Sequence, residues 1–544
     1  MNTRVRLSRR QLISLGVTAS IPLVGGARSA RAQTPAATWT PDQGLRLAGP
    51  STRLAVLDPA LARDFLEMPV LRQIFRGILA FDQDLKAVPA LAAKMEVSDD
   101  ARAYTFTLCP DAMFHDGRAI LAADVHASFV RALNPAIADG DVSSLSAASY
   151  LGGIAGASDV MNGLATRLAG FEIVSDRTFT IRLAQPDAAF PLKLASVPAS
   201  IVDATQAKDL LIPNGTGPYA VTAFTPGDSL TLATSPSWHG KAPAVSTISF
   251  RLGESASQPL NIFQGNEIDL LDGVPDDQML LLKDPASGVE MGDSIATPRF
   301  SAFYLALSTT VAPLDDINIR RALQHGFPGA RLAVANQGNV VAARGLIPPG
   351  MLGQDWAANL PAYDLEAARS AIAKSRYRSA ANVPPIALYG GQTSIADPLH
   401  NIGEAMRETA GADLGLTFEP VSVAWNDFIT GLPRRRFSSY SITWIADYPD
   451  PESLLWVLFG SDSSENYTGY RNDAFDALLA EARGSLDQTE RIGLYQRAQQ
   501  LLIDDAVLIP LFFDISYTAI RPGIAGVPVT PIGMLGLESV YGKE

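Results

Sequence analysis

The 544-residue chain has one cysteine, Cys109, and five histidines. A single thiol closes no intrachain disulfide and excludes a CxxC redox pair or a thiolate-rich zinc site. His115 and His126 have Asp116 and Asp124 nearby, but the spacing brings in no third ligand, so they read as loop and helix-surface residues rather than a metal centre. Cys109 has no indicated base and ends an alternating strand, so it reads as a small, partly buried side chain. Positive charge is scarce: 43 Lys and Arg face 56 Asp and Glu, giving a net charge of −13. That balance disfavours nucleic acid or an anionic membrane surface as the main partner. GxSxG, HExxH and the phosphate-binding P-loop are all missing. Gly215-Thr216-Gly217-Pro218-Tyr219-Ala220 fits a loose GxGxxA, but the next residues, Val221 to Phe224, read as a strand, and a dinucleotide site needs a helix there. A backbone turn requiring glycine is the better reading.

Hydrophobic residues make up 47% and charged residues 18%, an ordinary globular composition. Gly 43 and Pro 37 point to many turns. The length suggests about three or four structural units. Residues 1–32 differ from the rest. Arg4, Arg6, Arg9 and Arg10 precede an apolar stretch from Leu12 to Val24, and Ala30-Arg31-Ala32 supplies a small-x-small cleavage pattern. The apolar stretch is too short to span ~30 Å of hydrocarbon, so this is a signal peptide rather than an anchor. Ser8-Arg9-Arg10-Gln11-Leu12-Ile13 resembles the twin-arginine signal, which implies export in the folded state through that machinery; an ordinary Sec signal is the other reading. With no cysteine near the cut, lipid anchoring is not expected. The segment holds six arginines and no acid, so its removal takes the charge from −13 to −19.

Periodicity outlines a mixture of strands and helices. Strands are expected at 44–48, 77–81, 102–108, 178–183, 230–233 and 440–445. Helices are expected at 69–75, 123–133, 317–325 (capped by Asp315 or Asp316), 365–374 and 473–483. The fold class is therefore α/β or mixed α+β. Brief Pro/Gly-rich joints occur at Pro213–Pro218 and Pro348–Gly353, which suits lobes that exchange strands more than once.

The densest signal lies between residues 440 and 475. A strand ending at Trp444-Ile445 is broken by Ala446-Asp447-Tyr448-Pro449-Asp450-Pro451. The prolines stiffen the loop and push Tyr448 and Asp450 into extended geometry, displaying Asp447 and Tyr448 at a strand end. A carboxylate flanked by Trp444 and Tyr448 suits an ammonium group. The pattern alone equally allows Asp447 merely to cap the turn. Arg434-Arg435-Arg436 is either a solvated turn or an anion contact.

Taken together, several motifs resemble the periplasmic solute-binding proteins of dipeptide and oligopeptide ABC importers. They are Leu57-Asp58-Pro59-Ala60; Tyr104 to Leu108 followed by Phe114-His115-Asp116-Gly117 and Ala123-Asp124-Val125; Gly215 to Tyr219; Gly265-Asn266-Glu267-Ile268-Asp269; Pro313-Leu314-Asp315-Asp316; and Trp444 to Pro451 with Asn466, Gly469-Tyr470 and Phe475-Asp476. Departures at Met95 and Cys109 fall at framework positions. The resemblance implies a two-lobed α/β periplasmic-binding-protein fold: lobe I at 33–80, 198–298 and 513–544, an extra subdomain at 81–197, and lobe II at 299–512. It further implies a monomer without cofactor or catalysis that holds a short peptide between its lobes and delivers it to the transmembrane subunits of a permease. Asp447 would take the α-ammonium, with Trp444, Tyr448, Asn466, Tyr467 and Trp425 around the ligand and Arg434 or Arg436 at its carboxylate. The family also serves oligosaccharides, opines, metal chelates and haem. A sugar binder would rely on stacked Trp425, Trp444 and Trp456.

Overall fold

Strand Ser301–Leu307 is buried at every position, so both of its faces must be covered. A computed structural model shows how this is done. It describes residues 39–543 apart from 51–53, 55, 63–65, 139, 141–144, 207–210, 275–292, 328, 330–339, 353–359 and 393–405. The export-signal reading falls outside the described residues. On one face of the strand, Ala302, Tyr304 and Ala306 join Leu454, Phe475 and Tyr495. On the other, Phe303, Leu305 and Leu307 pack with Ile319, Leu323 and Ile372. This is a helix–sheet–helix sandwich.

Twelve strands form one mixed sheet in two halves. One half contains Phe418–Ala424, Ile386–Gln392, Ser439–Ile445 and Ser301–Leu307; the other contains Leu270–Val274, Leu45–Ala48, Thr247–Arg251, Ser229–Thr234 and Tyr219–Thr225. The 13-residue strand Leu508–Ile520 belongs to both. Leu508 to Phe512 pair with Phe303 to Ala306, whereas Ile515 to Ala519 pair with Ser294–Pro298. Two adjacent antiparallel segments thus cross from one lobe to the other. At the crossing the Arg299 N–H donates to the Asp514 carbonyl at 2.8 Å, and Ser301 Oγ donates to the Asp514 carboxylate at 3.1 Å. The fold is the two-lobed α/β architecture expected from the sequence.

In the second half, Leu45, Leu47 and Phe250 pack against Val70, Leu71 and Ile74 of helix Met68–Ile74. A separate antiparallel sheet, Ala92–Val97, Ala103–Leu108, Thr178–Arg182 and Phe171–Ile173, packs on helix Ala122–Leu133. This subdomain has its own core, with Phe179 stacked between Phe106 and Phe171 at centroid distances of 5.5 and 4.9 Å.

Local signals placed the helices well. Ile317–Gly326 is capped by Asp316, Leu365–Lys374 by Asp364 and Asp473–Gly484 by Asn472. The segment 213–218 is no joint. The N–H groups of Thr216 and Gly217 donate to the Ile74 carbonyl at 3.0 and 2.8 Å, and a Cβ on Gly215 would lie 2.3 Å from that oxygen. Glycine is needed there because backbone meets backbone. The His115 ring joins this contact, accepting from the Gly215 N–H at 3.2 Å and lying 3.0 Å from the Gly217 carbonyl; burial lowers its pKa. Among the described residues no three His, Cys, Asp or Glu side chains converge as a metal site, and no helix is long and apolar enough to cross a membrane.

Candidate functional site

Strand Ser439–Ile445 runs antiparallel to Ser301–Leu307, and their pairing ends at Ser301 and Ile445. The Ala446 N–H then donates to the Phe300 carbonyl at 2.7 Å. The chain therefore leaves the sheet beside the interlobe crossing, and Asp447 is the next residue. Its half-buried carboxylate makes no hydrogen bond or ion pair with any described residue. It lines a cavity of about 150 Å³ together with Met68, Arg72, Phe81, Tyr150 and Ile445. Burial pushes its pKa up to about 7; the charge of Glu465 adds to the rise and Lys193 opposes it. An ionised carboxylate in such surroundings is costly until a cation meets it.

Asp447 does not cap the turn. Asp450 does that work: its Oδ1 accepts from the Glu452 N–H at 3.0 Å and from the Tyr495 hydroxyl at 2.8 Å, and Arg491 pairs with its other oxygen. This frees Asp447 from any structural duty in the loop.

Tyr448 is corrected from the sequence reading. It is not displayed to the cavity but 2% exposed, packed in the core of the subdomain. Its hydroxyl donates to Glu452 at 2.8 Å, and Lys193 Nζ lies 4.9 Å from its ring centroid. A buried charge cluster surrounds it. Lys193 Nζ is 2.7 Å from Asp187 and 3.2 Å from Glu452, and Arg483 Nε donates to Glu452 at 2.7 Å. Burial alone would raise the Glu452 carboxyl, but Lys193 and Arg483 outweigh it and hold it below its usual range. Lys193 and Asp187 come from the subdomain side, Glu452 and Arg483 from the second lobe. The cluster therefore ties the Asp447 loop to the subdomain.

The other expected ligand residues do not line the Asp447 cavity. The buried Asn466 amide is spent on backbone, donating to the Gly460 and Tyr470 carbonyls at 3.1 and 2.8 Å. The Tyr467 hydroxyl donates to Glu465. Arg436 is exposed three residues before the seven-residue strand Ser439–Ile445, which spans about 23 Å at ~3.3 Å per residue, and Asp447 lies two residues past its far end. Trp444 is half-buried, with an Nε1–H that is buried and has no partner among the described residues. Trp425 is 41% exposed beside Phe428. Arg483 covers the Trp456 ring at 4.3 Å, and among the described residues no two of the three tryptophans are in ring contact. Arg72 lines the cavity and was missed from the sequence. Its helix was legible, but the loop it faces lies more than 370 residues further along the chain.

A two-lobed fold, with a carboxylate unpaired among the described residues in a cavity beside the interlobe crossing, defines the class: a solute-binding protein. The family profile "Bacterial extracellular solute-binding proteins, family 5 Middle" matches residues 86–466, and the chain belongs to that family. It is 25% identical to the periplasmic oligopeptide-binding protein OppA of Escherichia coli (strain K12), covering 96% of both chains. It is 27% identical to the probable di/tripeptide-binding protein 5 of Pseudomonas aeruginosa (strain UCBPP-PA14), covering 84% of this chain and 87% of that one. Among solved structures, Haemophilus influenzae OppA complexed with RPPGFSPFR superposes with a TM-score of 0.72 at 21% identity, covering 92% of this chain and all of the other.

Proposed function

We propose that this protein is the exported receptor of an ABC importer, that it captures short peptides between its two lobes, and that it holds their free ammonium end on Asp447. The observation that carries the reading is the Asp447 carboxylate: half-buried in a cavity, without a partner among the described residues, and pushed up to about 7 by burial and by Glu465. An incoming ammonium supplies the missing counter-charge. The naming of relatives as oligopeptide- and di/tripeptide-binding proteins supports the choice of peptide over the other solutes of the family. Residues 1–32 direct export into the periplasm by the twin-arginine route, and the mature protein acts there as a soluble monomer without catalytic activity, handing its cargo to the permease. Lobe I comprises 33–80, 198–298 and 513–544, the subdomain 81–197 and lobe II 299–512. The interlobe crossing at Pro298–Ser301 and Phe513–Ile515 supports those limits. Mass spectrometry of ligands released by denaturing freshly purified protein tests the function. Short peptides with free amino termini are expected, and recovery of only sugars, metal chelates or haem would overturn it.

A further inference from the structure

The cavity that holds Asp447 has a second pole. Arg72 enters it from helix Met68–Ile74, on the opposite lobe from the strand that presents Asp447. The two do not pair with each other. Tyr150 stands within reach of both: its hydroxyl donates to the Asp447 carbonyl at 3.2 Å, and its ionisation responds to the charges of Asp447 and Arg72.

Arg72 has no carboxylate partner among the described residues. Its Nη1 donates to the Met534 carbonyl at 3.1 Å. The nearby acid, Glu538, is engaged by Arg76, which lies 5.3 Å from the Trp238 ring. Arg76 thus takes the nearby carboxylate, and the half-buried Arg72 guanidinium is left without an anion of its own among the described residues. Burial and the neighbouring Arg76 lower Arg72 to about 10, the mark of a cation short of anions. Across the cavity Asp447 is an anion short of cations. Each is costly alone, and a single solute with a positive and a negative end relieves both.

We infer that Arg72 is the anion-recognising pole of the ligand site, taking a carboxylate of the solute whose ammonium end rests on Asp447. The inference rests on the peptide reading above and narrows it to short zwitterionic peptides. Guanidinium is suited to the task because its fork matches a carboxylate with two parallel hydrogen bonds. Arg72, Phe81 and Val197 also line an adjoining cavity of about 330 Å³, so the pole stands at a junction rather than a dead end. The carboxylate is supplied by the C-terminus of a short peptide or by an acidic side chain.

Titration calorimetry of di-, tri-, tetra- and penta-alanine, each as the free acid and as the C-terminal amide, tests this on the wild type, with Arg72→Gln and Arg72→Lys as second readouts. Amidation should weaken at least one of these peptides by about 10- to 100-fold on the wild type and by less than about twofold on Arg72→Gln. If Ala-Glu amide outbinds Ala-Ala amide on the wild type but not on Arg72→Gln, the carboxylate comes from a side chain and the pole stands. Acids and amides that bind the wild type equally, with Ala-Glu amide binding no better than Ala-Ala amide, overturn the role of Arg72 while leaving the peptide reading intact. If no free-acid peptide binds, the peptide reading fails and the inference falls with it.

Discussion

Proton and peptide compete for Asp447, and the competition has a calculable size. In the ligand-free protein the carboxyl titrates near about 7 because burial and Glu465 disfavour its charge. Pairing with an ammonium returns it toward the ordinary carboxylate range, about 4 or below. The proton must leave before the ammonium can pair, so affinity rises tenfold per pH unit from about pH 4 and levels off near about pH 7. Between about pH 5.5 and 7.5 the dissociation constant should fall by about 25-fold, or about 2 kcal/mol. The peptide's own amine, with a pKa near about 8, stays charged through most of this window. Titration calorimetry of tri-alanine across the range reads the effect directly, and near pH 6 about one proton should be released per peptide bound. Asp447→Asn should bind weakly and without the slope. An affinity that is flat within about twofold, or a slope that survives in Asp447→Asn, would refute the reasoning.

The same shift acts on folding with the opposite sign. A carboxyl whose folded pKa is raised costs stability as pH climbs through its unfolded value near about 4 toward its folded value. Ligand-free Asp447→Asn should therefore be more stable than the wild type at about pH 8, by on the order of 3–4 kcal/mol, and the gap should close by about pH 4 in urea denaturation. Glu452→Gln strips the buried cluster of the acid that Lys193 and Arg483 share. It should lower stability by about 3–5 kcal/mol, and a loss below about 1 kcal/mol would show that the cluster is solvated. Gly215→Ala drives a methyl into the Ile74 carbonyl and should cost about 1–3 kcal/mol, with weakened binding because the helix bearing Arg72 shifts.

Local chemistry was legible in the sequence and long-range chemistry was not. Helix Leu365–Lys374 was marked by its periodicity, and Asp364 caps its start by accepting from the Glu366 and Ala367 N–H groups. The loop after Ile445 was legible because Pro449 and Pro451 cannot continue a strand. The roles of its side chains were only partly so. Asp447 and Tyr448 are adjacent, yet one faces the cavity and the other is drawn into the subdomain core by Glu452 and Lys193. No local pattern announces Lys193 as the partner of a residue more than 250 positions away. Asn466 carried a motif but serves the backbone, and Arg436 was chosen for its charge although the intervening strand carries it away from the cavity. Arg72 sat unremarked on a short, mostly buried helix, because only the fold brings it into one cavity with Asp447.

The account turns on one ion pair, and that pair can be deleted from either side. Tri-alanine and N-acetyl-tri-alanine should be titrated into wild type and Asp447→Asn at about pH 7.5. Acetylating the peptide or neutralising the residue should each cost about 2–5 kcal/mol, and doing both should cost no more than either alone. Losses that add, or an acetylated peptide that binds the wild type as well as the free one, would contradict it.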